Sequence, residues 1–271
     1  MTTAIFPAPT WLVGCGNMAG AMVEGWRAAG VDLAKVTAIR PSGTPVEGVR
    51  TITALPAGEA PRFVMLGVKP QKLDEVAPGL APLVGGETIL VSLLAGVSAA
   101  TLRQRFPQAR AIIRVMPNLP VAQRQGVTAL FSDDGDDAAR TLVGELMTVL
   151  GLAPWTAHEA AFSAIGAVAG SGPAYVARFT AALARGGEHL GLAPELAGAI
   201  ATQTLVGTAA MADRGEPMAE IARRVASPNG TTEQGLAVLD VAGGLQMLVD
   251  AMLAAAIARG KQLAEEAAAR H

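Results

Sequence analysis

The chain has 271 residues, 51% of them hydrophobic and 16% charged, so it can bury a substantial core and is predicted to form two domains. Its formal net charge of −2 provides no basic surface field, which argues against nucleic acid or an anionic membrane as a partner. The single cysteine, Cys15, excludes an internal disulfide and is typical of a reducing compartment, so we expect a cytoplasmic protein that binds small molecules.

Short apolar runs alternate with helical patterns in the first 157 residues, which is typical of βαβ units. The runs predict strands at residues 11–13, 36–39, 63–68, 88–93, 111–115 and 127–131. We therefore predict an α/β domain with a mostly parallel sheet over residues 1–157.

Residues 158–271 carry no convincing strand pattern. Ala- and Leu-rich segments, interrupted by Gly or Pro at 191–194, 214–217 and 242–244, predict an all-helical domain. The uncharged stretch 160–177 is long enough to cross a membrane, but its small side chains contribute little transfer free energy. We expect helices packed against protein instead.

A Gly-x-Gly-x-x-Ala turn follows the first predicted strand and opens a helix. The first Gly permits the turn, the second lets the backbone approach a pyrophosphate, and the small third residue lets helix and strand pack closely. In this context the pattern predicts a Rossmann-like dinucleotide site. The residues expected to bind the cofactor there are Gly14, Gly16, Asn17, Met18 and Ala19. Cys15 is interpreted as a small filler of this turn, not as a nucleophile.

The end of the second predicted strand indicates which dinucleotide binds. An enzyme that uses NAD usually places an acidic residue there, whereas this chain has Arg40 and Ser42. A guanidinium and a hydroxyl suit the 2′-phosphate of NADP. We therefore predict NADPH as the cofactor, with NADH as the alternative, while a solvated surface Arg40 is the interpretation without a ligand.

Three further loops follow predicted strands at the edge where open α/β sheets bind ligands. The first two are expected to bind the cofactor and the third the substrate, although each is also compatible with ordinary turn chemistry. The residues predicted from them are Val68, Lys69 and Pro70; Ala95 and Gly96; Met116 and Asn118.

Six segments, in this order, resemble the pyrroline-5-carboxylate reductase family, and together they span nearly the whole chain. They are the glycine turn, Val-Lys-Pro at 68–70, Ala-Gly-Val at 95–97, Arg-Val-Met-Pro-Asn at 114–118, Gly-Ser-Gly-Pro-Ala-Tyr at 170–175 and Ser-Pro-Asn-Gly-Thr-Thr at 227–232.

The resemblance implies reduction of 1-pyrroline-5-carboxylate to L-proline by hydride transfer from NADPH or NADH to the C=N carbon. It also implies a homodimer, or a larger assembly of dimers, built by the helical domain, with substrate between the two domains. The hydroxyl of Thr232 is the group that the resemblance places on the imine nitrogen. Because a hydroxyl is a weak acid, Thr232 is expected to orient and polarise the imine, while the proton comes from solvent.

The polar turn at 227–232 is where we expect the substrate carboxylate. Backbone N–H groups and hydroxyls at the start of a helix near Thr231 form an anion-binding nest. A capping box between Thr231 and Gln234 would explain part of this sequence without any ligand. The substrate-binding residues predicted here are Ser227, Asn229, Gly230, Thr231 and Thr232.

Four departures from the family pattern leave the substrate less certain than the reaction type. Leu119, Gly166 and Ala169 each replace a residue with a hydroxyl, which makes the expected pocket more apolar. Asn229 replaces a glycine, and we expect it to keep the turn because Asn tolerates a left-handed backbone.

Two other classes remain open on the sequence. An imine reductase or a β-hydroxyacid dehydrogenase would pair a similar glycine turn with a helical domain. The hydroxyacid enzymes usually carry a catalytic lysine after the domain junction, and this chain has no lysine between Lys72 and Lys261. The non-enzymatic alternative is a sensor that binds a dinucleotide.

Overall fold

The computed structural model describes residues 4–268, so the outermost residues of both predicted domains lie outside the described residues. The chain divides into two compact units. One comprises the chain up to Ser171 and the last helix from Ala256 onward, and the other is Gly172–Ala255. The boundary predicted after residue 157 stays a prediction.

Eight strands form one sheet in the order β3-β2-β1-β4-β5-β6-β7-β8. All pairs from β3 to β6 are parallel, β7 runs antiparallel to β6, and β8 runs parallel to β7. The strands are β1 (Thr10–Val13), β2 (Val36–Ile39), β3 (Arg50–Ile52), β4 (Phe63–Leu66), β5 (Ile89–Ser92), β6 (Ala111–Pro117), β7 (Gly126–Phe131) and β8 (Gly151–Leu152).

The six predicted strands are all present, and β3 and β8 were missed. β3 has three residues and no buried side chain, and β8 has only two residues. Neither strand carries the continuous apolar run by which a buried parallel strand is recognised.

Helices cover both faces of this sheet, as the βαβ pattern predicts. Helices α1 (Asn17–Ala28) and α4 (Asp137–Thr148) pack on one face, against side chains such as Leu12, Met65 and Ile113. The other face packs on α2 (Leu73–Leu80) and α3 (Ala99–Arg105), and farther along on α5 (Glu159–Ile165).

The chain beyond α5 is helical as far as it is described, which confirms the prediction for this part. A π-helical segment, Gly166–Gly170, follows α5 directly. The remaining helices are α6 (Gly172–His189), α7 (Pro194–Asp213), α8 (Met218–Val225), α9 (Thr231–Asp240) and α10 (Gly244–Ala268).

Two described stretches, Glu159–His189 and Thr231–Gln262, are long and apolar enough to cross a membrane by length and composition, which by itself is weak evidence for a span. The first contains the π-helical segment, and the second contains Ala242, whose φ of 50° breaks the helix. Neither stretch is one regular α-helix.

Candidate active site

The glycine turn lies at the point where the sheet connections change direction. Strand β1 is flanked by β2 on one side and β4 on the other, so the chain leaves β1 in one direction and later returns on its opposite side. Open α/β sheets bind ligands outside the carboxyl ends of the strands at such a point. The loops that follow β1 and β4 meet there, because the amide of Gly67 donates to the carbonyl of Val13 at 2.9 Å.

The packing of this turn explains its small residues. Gly14 has a φ of +79°, and a Cβ atom on it would lie 2.8 Å from the backbone nitrogen of Val68, so both conformation and space require glycine. A Cβ on Gly67 would lie 3.3 Å from the Cβ of Ala19, which is buried against it. The predicted close approach of helix and strand at Ala19 is confirmed.

The first turn of α1 is open to an anion. Gly16 is the N-cap of α1, glycine has no side chain to cap the first amides, and a Cβ at this position would meet no atom within 4 Å. Asn17 is exposed and Met18 half-buried, and the first turn contains no acidic residue. The unpaired N–H groups of a helix start and its partial positive charge therefore face free space.

A cleft of about 440 Å³ connects this helix start with Arg40. Burial raises the pKa of the Cys15 thiol, and the nearby positive charge of Arg40 lowers that pKa in opposition. The cleft is lined by Cys15, Gly16, Asn17, Gly20, Val23, Glu24, Arg27, Arg40, Pro45, Val46 and Glu47.

A tight turn after β2 arranges the polar groups around Arg40. The amide of Gly43 donates to the carbonyl of Arg40 at 2.9 Å, and the Arg40 guanidinium donates to the carbonyl of Thr44 at 3.0 Å. The hydroxyls of Ser42 and Thr44 lie 3.0 Å apart. A guanidinium and two hydroxyls thus stand on one exposed loop, and Thr44 was not singled out from the sequence.

The other predicted cofactor residues follow β4 and β5. Val68 and Pro70 are half-buried, and Lys69 between them is exposed before a 3₁₀ turn. Gly96 has a φ of +77° in the turn after β5, next to exposed Ala95. Because β4 and β5 are neighbouring parallel strands, these loops share the edge of the sheet that carries the glycine turn.

Met116 and Asn118 lie at the end of β6, and both side chains contact other parts of the protein. The Asn118 side chain accepts from the amide of Val127 at 2.8 Å and donates to the carbonyl of Ala169 at 2.9 Å. The Met116 sulfur packs directly against Gly166. A Cβ atom on Gly166 would lie only 2.2 Å from this sulfur. Their role in substrate binding stays a prediction.

The polar turn after α8 has the predicted shape. Asn229 has a φ of 57°, which confirms that it adopts the left-handed backbone of the glycine it replaces. Helix α9 begins at Thr231, as expected, but its N-cap is Gly230, so the alternative capping box between Thr231 and Gln234 is wrong.

A different acid closes this turn. Glu233 accepts a hydrogen bond from the amide of Asn229 at 2.7 Å, and the amide of Gly230 donates to the carbonyl of Ser227 at 2.9 Å. Two of the amides expected to hold an anion are therefore used within the turn. The first amides of α9, from Thr231 onward, have no partner inside the helix and remain the donors for a ligand.

Sequence reasoning also missed an ion pair between a buried arginine and an exposed glutamate. Arg114, in the middle of β6, is 7% exposed and donates to Glu159 at 2.7 Å, while its guanidinium stacks 4.6 Å from the ring centre of Phe162. Burial lowers the pKa of Arg114, and the charge of Glu159 opposes that shift. The signal was available, because an arginine within an apolar strand requires an acidic partner.

The doubly wound sheet, the glycine turn at its switch point and the following helices define a Rossmann-like oxidoreductase with a helical C-terminal region. The family model for pyrroline-5-carboxylate reductase dimerisation matches residues 159–263. The pyrroline-5-carboxylate reductase of Pseudomonas aeruginosa is 38% identical over 263 residues, which cover 94% of this chain and 96% of that protein. The chain belongs to the pyrroline-5-carboxylate reductase family.

Solved structures give the same result for the fold. A pyrroline-5-carboxylate reductase from Coxiella burnetii superposes with a TM-score of 0.87 at 33% identity, over 94% of this chain and 98% of that one. The Plasmodium falciparum pyrroline carboxylate reductase, solved with NADP bound, has a TM-score of 0.82 at 21% identity, over 96% of this chain and 99% of that one, and is similar in fold. The predicted fold class and family are confirmed.

Proposed function

We propose that this protein reduces 1-pyrroline-5-carboxylate to L-proline with NADPH, as the last step of proline biosynthesis. The observation that carries the proposal is that one chain contains both a glycine turn at the sheet switch point and the Ser-Pro-Asn-Gly-Thr-Thr turn at the start of α9. Family membership over nearly the whole chain supports the same reaction.

The residues present fit a dinucleotide phosphate. Gly16 leaves backbone room for the pyrophosphate at the start of α1, Gly14 permits the tight turn before it, and the cleft of about 440 Å³ leads from there to Arg40. Arg40, Ser42 and Thr44 offer a guanidinium and two hydroxyls to a 2′-phosphate. When bound, NADPH supplies the hydride that reduces the C=N carbon.

The protein's own residues hold and orient the imino acid. The first amides of α9, with the hydroxyls of Ser227 and Thr231, bind the carboxylate, where the partial positive charge of the helix start favours it. The Thr232 oxygen accepts a hydrogen bond from the protonated ring nitrogen, which fixes the face of the carbon that is reduced. The ring nitrogen takes its proton from solvent, because a hydroxyl is too weak an acid to supply it at neutral pH.

The proposal includes a homodimer in the cytoplasm. In Gly172–Ala255 many large apolar side chains are exposed in the single chain, among them Phe179, Val206 and Leu248. Patches of this kind indicate a surface that another protein covers, and the matched family model concerns dimerisation. A second copy accounts for these helices without a membrane, and Cys15 as a free thiol suits a reducing compartment.

A turnover assay tests the reaction. Purified protein is mixed with NADPH and 1-pyrroline-5-carboxylate, cofactor oxidation is followed at the nicotinamide absorbance, and L-proline is identified as the product. A six-membered cyclic imino acid is assayed in parallel, since Leu119, Gly166 and Ala169 make the chain more apolar than the family pattern. If the six-membered imino acid is turned over faster than 1-pyrroline-5-carboxylate, the six-membered compound is the better substrate and the proposed substrate is wrong. No turnover of either imine, with NADPH bound, would favour the sensor.

A further inference from the structure

Three alternate residues, from the middle of β6 to the residue just after it, each contact the segment formed by α5 and the π-helical turn. Arg114 pairs with Glu159 at the first residue of α5, Met116 lies against Gly166, and Asn118 bonds Ala169. Alternate residues of a strand point to the same face of a sheet. One face of the end of β6 thus touches this segment at its start, middle and end.

The opposite face of the same strand has a different environment. Ala111, Ile113 and Val115 belong to the core formed with α1 and α4. Arg114 and Met116 instead lie beside Phe131 and Phe162 in the small cluster under α5. Residues of the sequence Arg-Val-Met-Pro-Asn therefore point alternately to the two faces of the sheet. Its first, third and fifth residues form the face toward α5.

We propose that Arg114, Met116 and Asn118 form an anchoring face that positions the segment Glu159–Gly170, and that Asn118 acts on the reaction through this segment instead of by contact with substrate. A π-helical turn interrupts regular helical hydrogen bonding, and such turns are frequent at functional sites. Asn118 satisfies the carbonyl of Ala169 in that turn while its oxygen holds the amide of Val127 in β7. Both ends of its amide are thereby used to fix backbone.

The charged member of the anchoring face, Arg114, is itself buried, while the side chain of its partner Glu159 is 45% exposed. Arg114 lies between the carboxylate of Glu159 and the ring of Phe162, and the same Glu159 oxygen accepts from the amide of Ala99 at the start of α3 at 3.4 Å. A buried, paired guanidinium has one favourable geometry, because any shift leaves a charge without its partner. The pair therefore sets where α5 begins along β6.

The position of the segment Glu159–Gly170 matters for the reaction, because the segment ends beside the carboxyl ends of the strands, where ligands bind in sheets of this kind. The phosphate-binding turn follows β1, which is three strands away from β6, or about 14 Å at the usual strand spacing. Loss of an anchor should therefore change turnover of the imine and leave NADPH affinity unchanged. This kinetic expectation rests on the proposed function, whereas the positioning itself does not.

The test is the variant Asn118→Asp, which keeps an acceptor for the amide of Val127, loses the donor to Ala169 and places a carboxylate oxygen against that carbonyl at a buried position. We expect kcat to fall about ten- to 100-fold, the effect of misplacing groups by about 1 Å, with an unchanged Kd for NADPH. Amide hydrogen exchange in residues 166–171 should become about five- to tenfold faster, as for loss of one hydrogen bond.

Val115→Ala is the matched control, because Val115 is buried on the opposite face of the same strand. It should lower Tm and leave the kinetic constants of the folded enzyme and exchange at 166–171 unchanged. Gly166→Ala is the second variant if Asn118→Asp does not fold. Its new Cβ would displace the flexible Met116 side chain, which should lower kcat in the same direction.

Three results would overturn the proposal. The first is wild-type kcat and wild-type hydrogen exchange in a folded Asn118→Asp or Gly166→Ala variant. The second is a loss of kcat in Val115→Ala as large as that in Asn118→Asp. The third is a rise in KM for the imine in Asn118→Asp with unchanged kcat and exchange, which would make Asn118 a substrate ligand. If the wild type does not reduce the imine at all, the proposed function fails separately, and the exchange experiment still decides the positioning.

Discussion

The two units of the chain differ in how completely they bury their apolar side chains. In the first unit, the sheet and its helices enclose side chains as large as Trp11, Trp26 and Phe63, each with 2% exposure or less. In the second unit, Ala197, Ala201 and Ile221 are the buried hydrophobic residues among those described. Its large hydrophobic residues are instead exposed, and they include Val176, Phe179, Leu183, Leu190, Leu196, Ile200, Val206, Val238, Met247 and Leu248.

The first unit therefore has a core of its own, whereas the described part of the second unit leaves most of its large apolar side chains uncovered. Burying a large apolar side chain contributes about 1.5–3 kcal/mol, and sixteen such side chains of the second unit are among the exposed ones. Since soluble monomers rarely expose apolar patches on this scale, assembly and folding of the second unit are expected to be one event.

The largest expected effect follows from a charge in the apolar surface of the second unit. Phe179 is 54% exposed on α6, and Phe179→Glu should abolish the dimer, since a carboxylate would be buried without a partner on assembly. Light scattering should report a monomer, and imine reduction should be lost, while NADPH binding by the first unit persists.

Leu152→Glu is the control for this experiment, because Leu152 is 66% exposed on β8 of the first unit. It should leave both assembly and activity unchanged. A dimer that survives Phe179→Glu with wild-type stability would show that this face of α6 is solvent-exposed in the assembled protein.

The next effect in size concerns Thr232, on the first turn of α9 in the second unit. In the proposed mechanism Thr232→Ala removes a hydrogen bond to a charged nitrogen, which is worth about 1.5–3 kcal/mol, so kcat/KM for the imine should fall about ten- to 150-fold. Thr232→Ser keeps the hydroxyl and should restore most of the activity. If the Ala variant has wild-type kcat/KM, Thr232 takes no part in the mechanism.

A smaller effect is expected in the first unit at Arg40. Arg40→Ala should weaken NADPH about tenfold, the lower end for a charged hydrogen bond because the loop is open to solvent, and should leave the Kd for NADH nearly unchanged. Arg27→Ala is the matched control, since Arg27 lines the same cleft but is paired with Glu47 at 2.5 Å. If Arg27→Ala loses the preference for NADPH over NADH and Arg40→Ala keeps it, Arg27 is the residue that binds the 2′-phosphate.

The same contrast explains what the sequence could predict. The first unit encloses its strands on both faces, so β1, β2, β4, β5, β6 and β7 were visible as apolar runs, and the glycine turn followed from its spacing. The Asn118 bridge to Ala169 joins residues 51 apart in sequence, and no local pattern encodes such a contact. The start of α9 near Thr231 was predicted correctly, but the alternative capping box at Thr231 was wrong, because Gly230 and Thr231 both suit an N-cap and the sequence alone does not decide between them.

The smallest expected effect concerns the pH dependence of stability in the first unit. Asp136 is the N-cap of α4, accepts from the amide of Ala139 at 2.8 Å and forms a two-bonded pair with Arg110 at 2.8 and 3.0 Å. The Arg110 hydrogen bond, followed by the Ala139 amide, holds the pKa of Asp136 below its usual value. A carboxyl with a depressed folded-state pKa stabilises the protein above its unfolded pKa, and this stabilisation is lost as the pH falls through the folded pKa.

Asp136→Asn keeps a good N-cap and removes the charge, so it isolates this contribution. By calorimetry, the Tm difference between wild type and variant should be constant from about pH 7 to 5, shrink below about pH 4 and vanish when Asp136 is protonated in the folded state. The comparison variant is Glu220→Gln, which breaks the exposed Glu220–Arg223 pair in the second unit and should change Tm little at any pH. A difference for Asp136→Asn that persists unchanged to pH 2 would show that its effect comes from helix capping and not from the charge.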